Sequence, residues 1–474
     1  MLALVFEGDW GGSFVAEAGA RTMLRSLRAR SARLSHAQPW IVRAIPHVGA
    51  AAAIVLWGSL ALGLLQGRGR INAFTGTPFG EDLLSLHAAA TIVRTGRVAH
   101  LYDDAVSRGV QAATLGPVGR EVFNRFMSPP HTAALFVPAS LIPFRLVVWL
   151  WAAAALAALF FVPRLVGARR PLWATALLLA FAPVCDGFLA GQNAIFTLFL
   201  FAASFFFWQR DRGYLAGVAL GLVAVYKPHL VPGPALLYLL ESRRDVRPIV
   251  GLGLVVIGLV AIDIVFFPDA TRRFLAWGED VTTGRAPLWD RLRPGGEMTV
   301  IGFLQNLRAP LVLSPRITLV ATVVFSVAAC AGFVVVHRRL RGSREGFGGP
   351  ATPRDDRLVF ALATLVTLWL TPHAHLYEWT LMALPALLVS VDHAGSRALL
   401  FAFVTLMLAV PFSVRIARAE LAHFGTALHP AVPLLLWATV IVILIALGRL
   451  QTPESARRVG RQMRAQLALP TNRR

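Results

Sequence analysis

Lysine is almost missing from this sequence. Of 46 basic residues only Lys227 is a lysine, and the rest are arginine. Charge of either sign is scarce, at 15% of 474 residues, below what a soluble globular domain carries. There are two cysteines, Cys185 and Cys330, and both fall inside apolar runs, which excludes a disulfide framework and a cysteine-built metal site. Short segments of alternating polarity are absent, which excludes a β-barrel. The N-terminal stretch lacks a short apolar core with a cleavage site, so no removable signal peptide is expected. No internal repeat is evident.

What the sequence does have is hydrophobicity. It is 56% hydrophobic with a mean hydropathy of +0.62. Long apolar segments recur between residues 46 and 448, the pattern of a polytopic membrane protein. Spanning segments must satisfy their own backbone N–H and C=O groups, so the expected fold is all-α. The spans read as 46–66, 144–164, 171–189, 193–208, 213–226, 229–240, 248–267, 316–337, 357–371, 375–391, 398–417 and 430–448. That is about twelve helices of membrane-crossing character, with segments 213–226 and 229–240 short enough to form a broken hairpin. The apolar run 131–143 is too short to cross and reads as a re-entrant or surface helix.

The net charge of +21 does not indicate a nucleic-acid partner, because the arginines cluster at segment ends and in the tails, where they face an anionic leaflet. With the N-terminus inside, the inner loops hold Arg164/Arg169/Arg170, Arg210/Arg212, Arg243/Arg244/Arg247 and Arg338/Arg339/Arg341/Arg344. The expected organisation is a basic cytoplasmic arm over 1–45, a transmembrane domain over 46–448 and a basic cytoplasmic tail over 449–474. Two long outer loops, 67–129 and 268–314, interrupt the domain. In the first, Leu83–Val93 has apolar residues at helical spacing and Asp103–Thr114 suits another helix, so amphipathic helices on the outer surface are expected. The second is long enough to act as a lid.

In this orientation the unusual polar residues converge on the outer side. They are Glu81, Asp82 and His87 in G-E-D-L-L-S-L-H, then F-M-S-P-P-H ending at His131, G-Q-N with Gln192 and Asn193, K-P-H with Lys227 and His229, and T-P-H-A-H-L-Y-E with His373, His375 and Glu378. Ionisable groups at membrane depth are costly and mark functional sites. Each also has a plainer reading. Asp82 is either a first-turn carboxylate on its helix or a general base, with Glu81 a competitor for that role. Lys227 precedes a proline and so ends a helix; it is either a lysine snorkelling to the interface or a phosphate partner. Gln192 and Asn193 either cap a helix or bind sugar hydroxyls. His373, His375 and Glu378 do not match a specific metal signature, and no metal is expected; the histidines are solvated turn residues or substrate hydrogen-bond partners.

Four stretches carry a family likeness. They are Glu81-Asp82-Leu83 through Gly96 to Leu101-Tyr102-Asp103; Ser128-Pro129-Pro130 to Pro138–Phe144; G-Q-N followed by Ala216–Pro228; and Pro372-His373 to Tyr377-Glu378. In this order the chain resembles the GT-C superfamily of membrane glycosyltransferases, and within it family GT87 (DUF2029), the polyprenol-phosphate-mannose-dependent α-mannosyltransferases. The resemblance implies a GT-C-like fold and an inverting transfer on the outer face of the membrane, from a polyprenyl-phosphate-linked sugar to a lipid or glycan acceptor; the arginine-rich, Ala/Leu/Val-heavy composition suggests a bacterial source, hence the inner membrane. It implies no cofactor, Asp82 as base, and Lys227 stabilising the departing phosphate. His87 stands where the family usually has an aromatic residue, and Glu378 where aspartate is common. The competing expectation is a transporter or flippase of a lipid-linked or anionic substrate.

Overall fold

The structure is a computed structural model that describes residues 78–116, 123–282, 315–345, 353–371 and 375–390, together with the helical residues Ala51, Ile54, Trp57, Gly58, Ala61 and Leu62. All of these lie in one compact unit, Ala50–Arg474. The arm 1–45, the tail 449–474, the segments 398–417 and 430–448, most of 46–66 and residues 283–314 lie outside the described residues.

All regular structure among the described residues is helical. In chain order it comprises α1 (Glu81–Arg94), α2 (Asp104–Leu115), α3 (Pro130–Leu135), α4 (Phe144–Leu165), α5 (Pro171–Leu179), α6 (Ala182–Ala190), α7 (Ala194–Gln209) and α8 (Gly213–Tyr226), then α9 (Pro232–Glu241), α10 (Arg247–Phe266), α11 (Pro268–Thr282), α12 (Pro315–Glu345), α13 (Pro353–Leu370) and α14 (Ala383–Ser390). Short 3-10 turns cover Val98–His100, Val137–Leu141, Pro228–Leu230 and Leu376–Met382.

Among the described residues three helices are long and apolar enough to cross a membrane: Phe144–Leu165, Arg247–Phe266 and Val320–Arg341. At 1.5 Å per residue the first is about 33 Å long, matching a hydrocarbon core of about 30 Å. The segment 171–189 is not one straight span. It breaks between α5 and α6 with a bend of 68°, and counting that pair as one gives up to four spans. Pro183 sits in the first turn of α6, where it cannot continue an α-helical hydrogen-bond ladder from α5. Among the other described segments, Gly213–Tyr226 has 14 residues, short of a straight span, and 375–391 divides into a 3-10 turn and α14.

The large apolar side chains of α10 point away from protein, with Leu254 65%, Ile257 70% and Phe266 71% exposed. In a membrane these face acyl chains, so no interior is needed to cover them. Helix association in lipid relies on close packing instead. Gly213, Gly217 and Gly221 recur every fourth residue on α8 and let α10 approach: a Cβ on Gly217 would lie 1.9 Å from the Pro248 carbonyl oxygen.

The described part of the first outer loop is helical where its periodicity predicts, but α1 is buried on most of its faces rather than lying as an amphipathic surface helix. Asp103 caps α2, its carboxylate accepting from the N–H groups of Ala105 at 2.9 Å and Val106 at 3.2 Å. Proline begins α3, which with Val137–Leu141 forms the short re-entrant or surface element expected over 131–143. One apolar cluster joins Ala89, Ile92, Leu101, Phe126, Ala133 and Ala270, and a second seats Leu83 and Leu84 on Phe144, Val147 and Val148 of α4. The outer-loop helices are thereby packed onto a membrane span and onto α11.

Candidate active site

Asp82 lies in the first turn of α1. The helix begins at Gly80, whose left-handed φ of 78° suits glycine. The Gly80 N–H donates to the Leu189 carbonyl at 2.8 Å. Gly191, also left-handed at φ 68°, ends α6, and a Cβ there would fall 2.9 Å from both Gly80 Cα and Leu83 Cβ. Two glycines thus let the G-Q-N turn lie directly against the start of α1. Gln192 Nε2 donates to Asp82 Oδ2, and from the other side Asn124 Nδ2 donates to Oδ1. The carboxylate is therefore not spent on capping its own helix. Gly191→Ala is expected to cost at least about 1 kcal/mol from the left-handed backbone alone, and to lower activity further by pushing Gln192 off Asp82. Thermal unfolding and turnover measured on the same preparation check this.

Burial raises the Asp82 carboxyl above its ordinary value, while the hydrogen bonds from Gln192 and Asn124 and the nearby Lys227 and His375 charges act in the opposite direction; burial wins. Lys227 and His375 are therefore close enough for their fields to reach this carboxylate.

Lys227 ends α8 ahead of Pro228, as the sequence predicts, but it does not snorkel. It is 8% exposed, and its Nζ lies 2.9 Å from Glu378 Oε1 and 4.8 Å from the centre of the Tyr377 ring. The second Glu378 oxygen accepts from the His375 N–H in a capping box that starts the Leu376–Met382 turn. The ammonium has three N–H donors, and the Glu378 bond uses one of them.

The other sequence candidates are placed as follows. Asn193 holds the N-cap position of α7 but makes no side-chain cap, and its Oδ1 is buried without a hydrogen-bond partner among the described residues. The His229 carbonyl accepts from Thr371 Oγ1 at 3.0 Å. The His375 ring lies 5.3 Å from that of Tyr377. Glu81 is partly exposed at the first position of α1. His87 is not brought to Asp82. Five residues along α1, it packs its ring 5.4 Å from that of Phe144, with Nε2 3.4 Å from the Ile142 carbonyl, and burial lowers its pKa. His373 lies outside the described residues. Among the described residues no group of three His, Cys, Asp or Glu side chains could hold a metal ion.

Two partners escaped the sequence reading. Asn124 sits in an irregular stretch with no periodicity to single it out. Asp263 is the one acidic residue of α10, a signal that hydropathy averaging hides. Its carboxylate accepts from the His131 backbone N–H at 2.7 Å and lies 2.6 Å from His131 Nδ1. His131 Nε2 sits 3.0 Å from the Val225 carbonyl, an acceptor only, and so donates to it. This pins α3 and α10 to the last turn of α8, two residues before Lys227.

A carboxylate gripped through both oxygens by neutral amides retains lone pairs for a substrate hydroxyl. With a fixed ammonium nearby, the arrangement suits removing a proton on one side and stabilising negative charge on the other. No curated protein and no solved structure matches the chain. The family model "Glycosyltransferase family 87" matches residues 126–349, a stretch that holds Gln192, Asn193, Lys227 and His229, while hydrogen bonds join Asp82 and Glu378 to it from outside. The match spans just under half of the 474 residues: over 126–349 the chain is similar to glycosyltransferase family 87, the family its motifs resemble, and that likeness points to glycosyl transfer.

Proposed function

We propose that this glycosyltransferase moves a sugar, mannose, from a polyprenyl-phosphate-linked donor to a lipid or glycan acceptor at the outer face of a bacterial inner membrane. Both termini lie on the cytoplasmic side. Asp82 accepts the proton of the acceptor hydroxyl as its oxygen bonds to the anomeric carbon, and the bond from that carbon to the phosphate oxygen breaks. Attack from the face opposite the leaving group inverts the centre, giving an α product from a β donor. Polyprenyl phosphate departs with the electron pair, and Lys227 offsets its charge. Phosphate is a good leaving group, so no acid is needed on that side. Gln192 and Asn124 orient the base. The observation that carries the reading is the two-sided amide grip on Asp82 within the field of Lys227.

The pH dependence tests it. Asp82 works only when ionised, and burial raises its pKa, so the acid limb of kcat/KM is expected above the ordinary carboxylate range near 4. Removing a contact that favours the ionised form, as in Gln192→Leu, moves the limb further up. A limb that stays near 4 and ignores both Gln192→Leu and Asp82→Asn contradicts the assignment.

A further inference from the structure

Asn124 has no helix to fix it: Phe123–Met127 carries no regular structure. Something else must aim its amide at Asp82. That something is Gln111, on the inward face of α2, which is 0% exposed. Its Nε2 donates to the Asn124 carbonyl at 2.6 Å, and its Oε1 accepts the Asn124 N–H at 3.1 Å. One side-chain amide thus closes both backbone groups of one residue, as a neighbouring strand would. Gln111 Nε2 also lies 3.1 Å from Ser107 Oγ, one turn back on α2, which restricts the rotamer that reaches Asn124. Beyond Asn124 the segment is tied down too. Arg125 pairs with Asp104 at the start of α2, and the Tyr102 hydroxyl donates to the Ser128 carbonyl at 2.8 Å. These neighbours hold the following segment in place, and among the described residues it is Gln111 that bonds the backbone of Asn124 itself.

We infer that Gln111 is a positioning residue for the transfer reaction, acting on Asp82 through the backbone of Asn124. The chain of contacts runs from a buried amide on α2 to the backbone of Asn124, through its side chain, to the carboxylate. The role needs a donor and an acceptor on one group. Glutamine supplies both without charge, whereas leucine or methionine of similar volume supplies neither. The inference rests on the reading of Asp82 as base.

The test is the pH profile of kcat/KM for the full chain in membranes, for Gln111→Met, Asn124→Ala and the double variant. Gln111→Met is expected to lower kcat/KM by up to about 100-fold, as small misplacements of a reacting group do. It should raise the acid limb in the same direction as Asn124→Ala, and the double variant should move the limb no further than Asn124→Ala alone. A merely structural role would reduce the amount of folded protein and leave the limb in place. Should Gln111→Met not accumulate, Gln111→Glu serves instead. While protonated it keeps both contacts, so it is expected to be active at low pH and to lose activity on the alkaline side where wild type does not. If the limb moves in Asn124→Ala but not in Gln111→Met, or if Gln111→Glu shows no new alkaline loss, the inference about Gln111 falls and the assignment of Asp82 stands. If Asp82→Asn itself keeps wild-type turnover, the base assignment falls first.

Discussion

Asp82→Asn is expected to insert and fold like the wild type and to lose about 10²- to 10⁴-fold in kcat, the range that a positioned general base contributes. The side chains have nearly the same shape, so the backbone and the packing around the site are kept. What changes is chemistry. An amide cannot take the acceptor's proton, and one of its two faces now presents a donor to an amide donor from Asn124 or Gln192. Labelled-sugar transfer and thermal unfolding on one preparation separate these effects. Glu81→Gln, one residue away, is the matched control. Asn124 and Gln192 grip Asp82, so transfer in the Glu81 variant should stay within about tenfold of wild type.

The second large effect concerns the Lys227–Glu378 pair, which joins residues 151 positions apart at side-chain exposures of 10% and 3%. Breaking a buried pair from one side leaves an uncompensated charge and costs about 3–5 kcal/mol. Lys227→Met and Glu378→Gln should therefore each lower the unfolding temperature sharply. The neutral double variant, Lys227→Met with Glu378→Gln, is expected to recover most of that stability, because neither charge is left alone. It should not recover donor turnover, because the ammonium that meets the departing phosphate is gone. Lys227→Arg keeps the charge but swaps a compact ammonium for a planar fork, and it should also turn over poorly. Recovery of both stability and turnover in the double variant would make the pair a structural tie alone.

That the outer-loop segments are helical was legible because apolar spacing and caps are local signals, though the burial of α1 on most of its faces was not. The spacing of Leu83–Val93 foretold α1, and Asp103 and Pro130 mark the starts of α2 and α3. The end of α8 at Lys227 followed from the next residue being proline. The 68° break inside 171–189 was not legible, since both halves are apolar and hydropathy is blind to direction. Nor could composition assign the first-turn carboxylate. The decision between an ordinary helix-start residue and a gripped base depends on Asn124 and Gln192, 42 and 110 residues away. The same holds for Lys227, whose apolar neighbours suggested snorkelling but whose partner is Glu378. His87 shares a helix with Asp82 yet faces Phe144, because five residues carry the chain well round the helix axis. Hydropathy ranks segments by average cost. It does not say which polar groups pair across them, and the candidate site is made of such pairs.

The most direct test of transfer from a lipid-phosphate-linked donor follows labelled sugar in membrane vesicles given polyprenyl-phosphate mannose, with and without this protein. The account predicts that label leaves the donor and enters a lipid or glycan product in α linkage, that polyprenyl phosphate accumulates in step, and that Asp82→Asn abolishes both. Intact donor crossing the bilayer with its sugar still attached, at the same rate in wild type and Asp82→Asn, would contradict it.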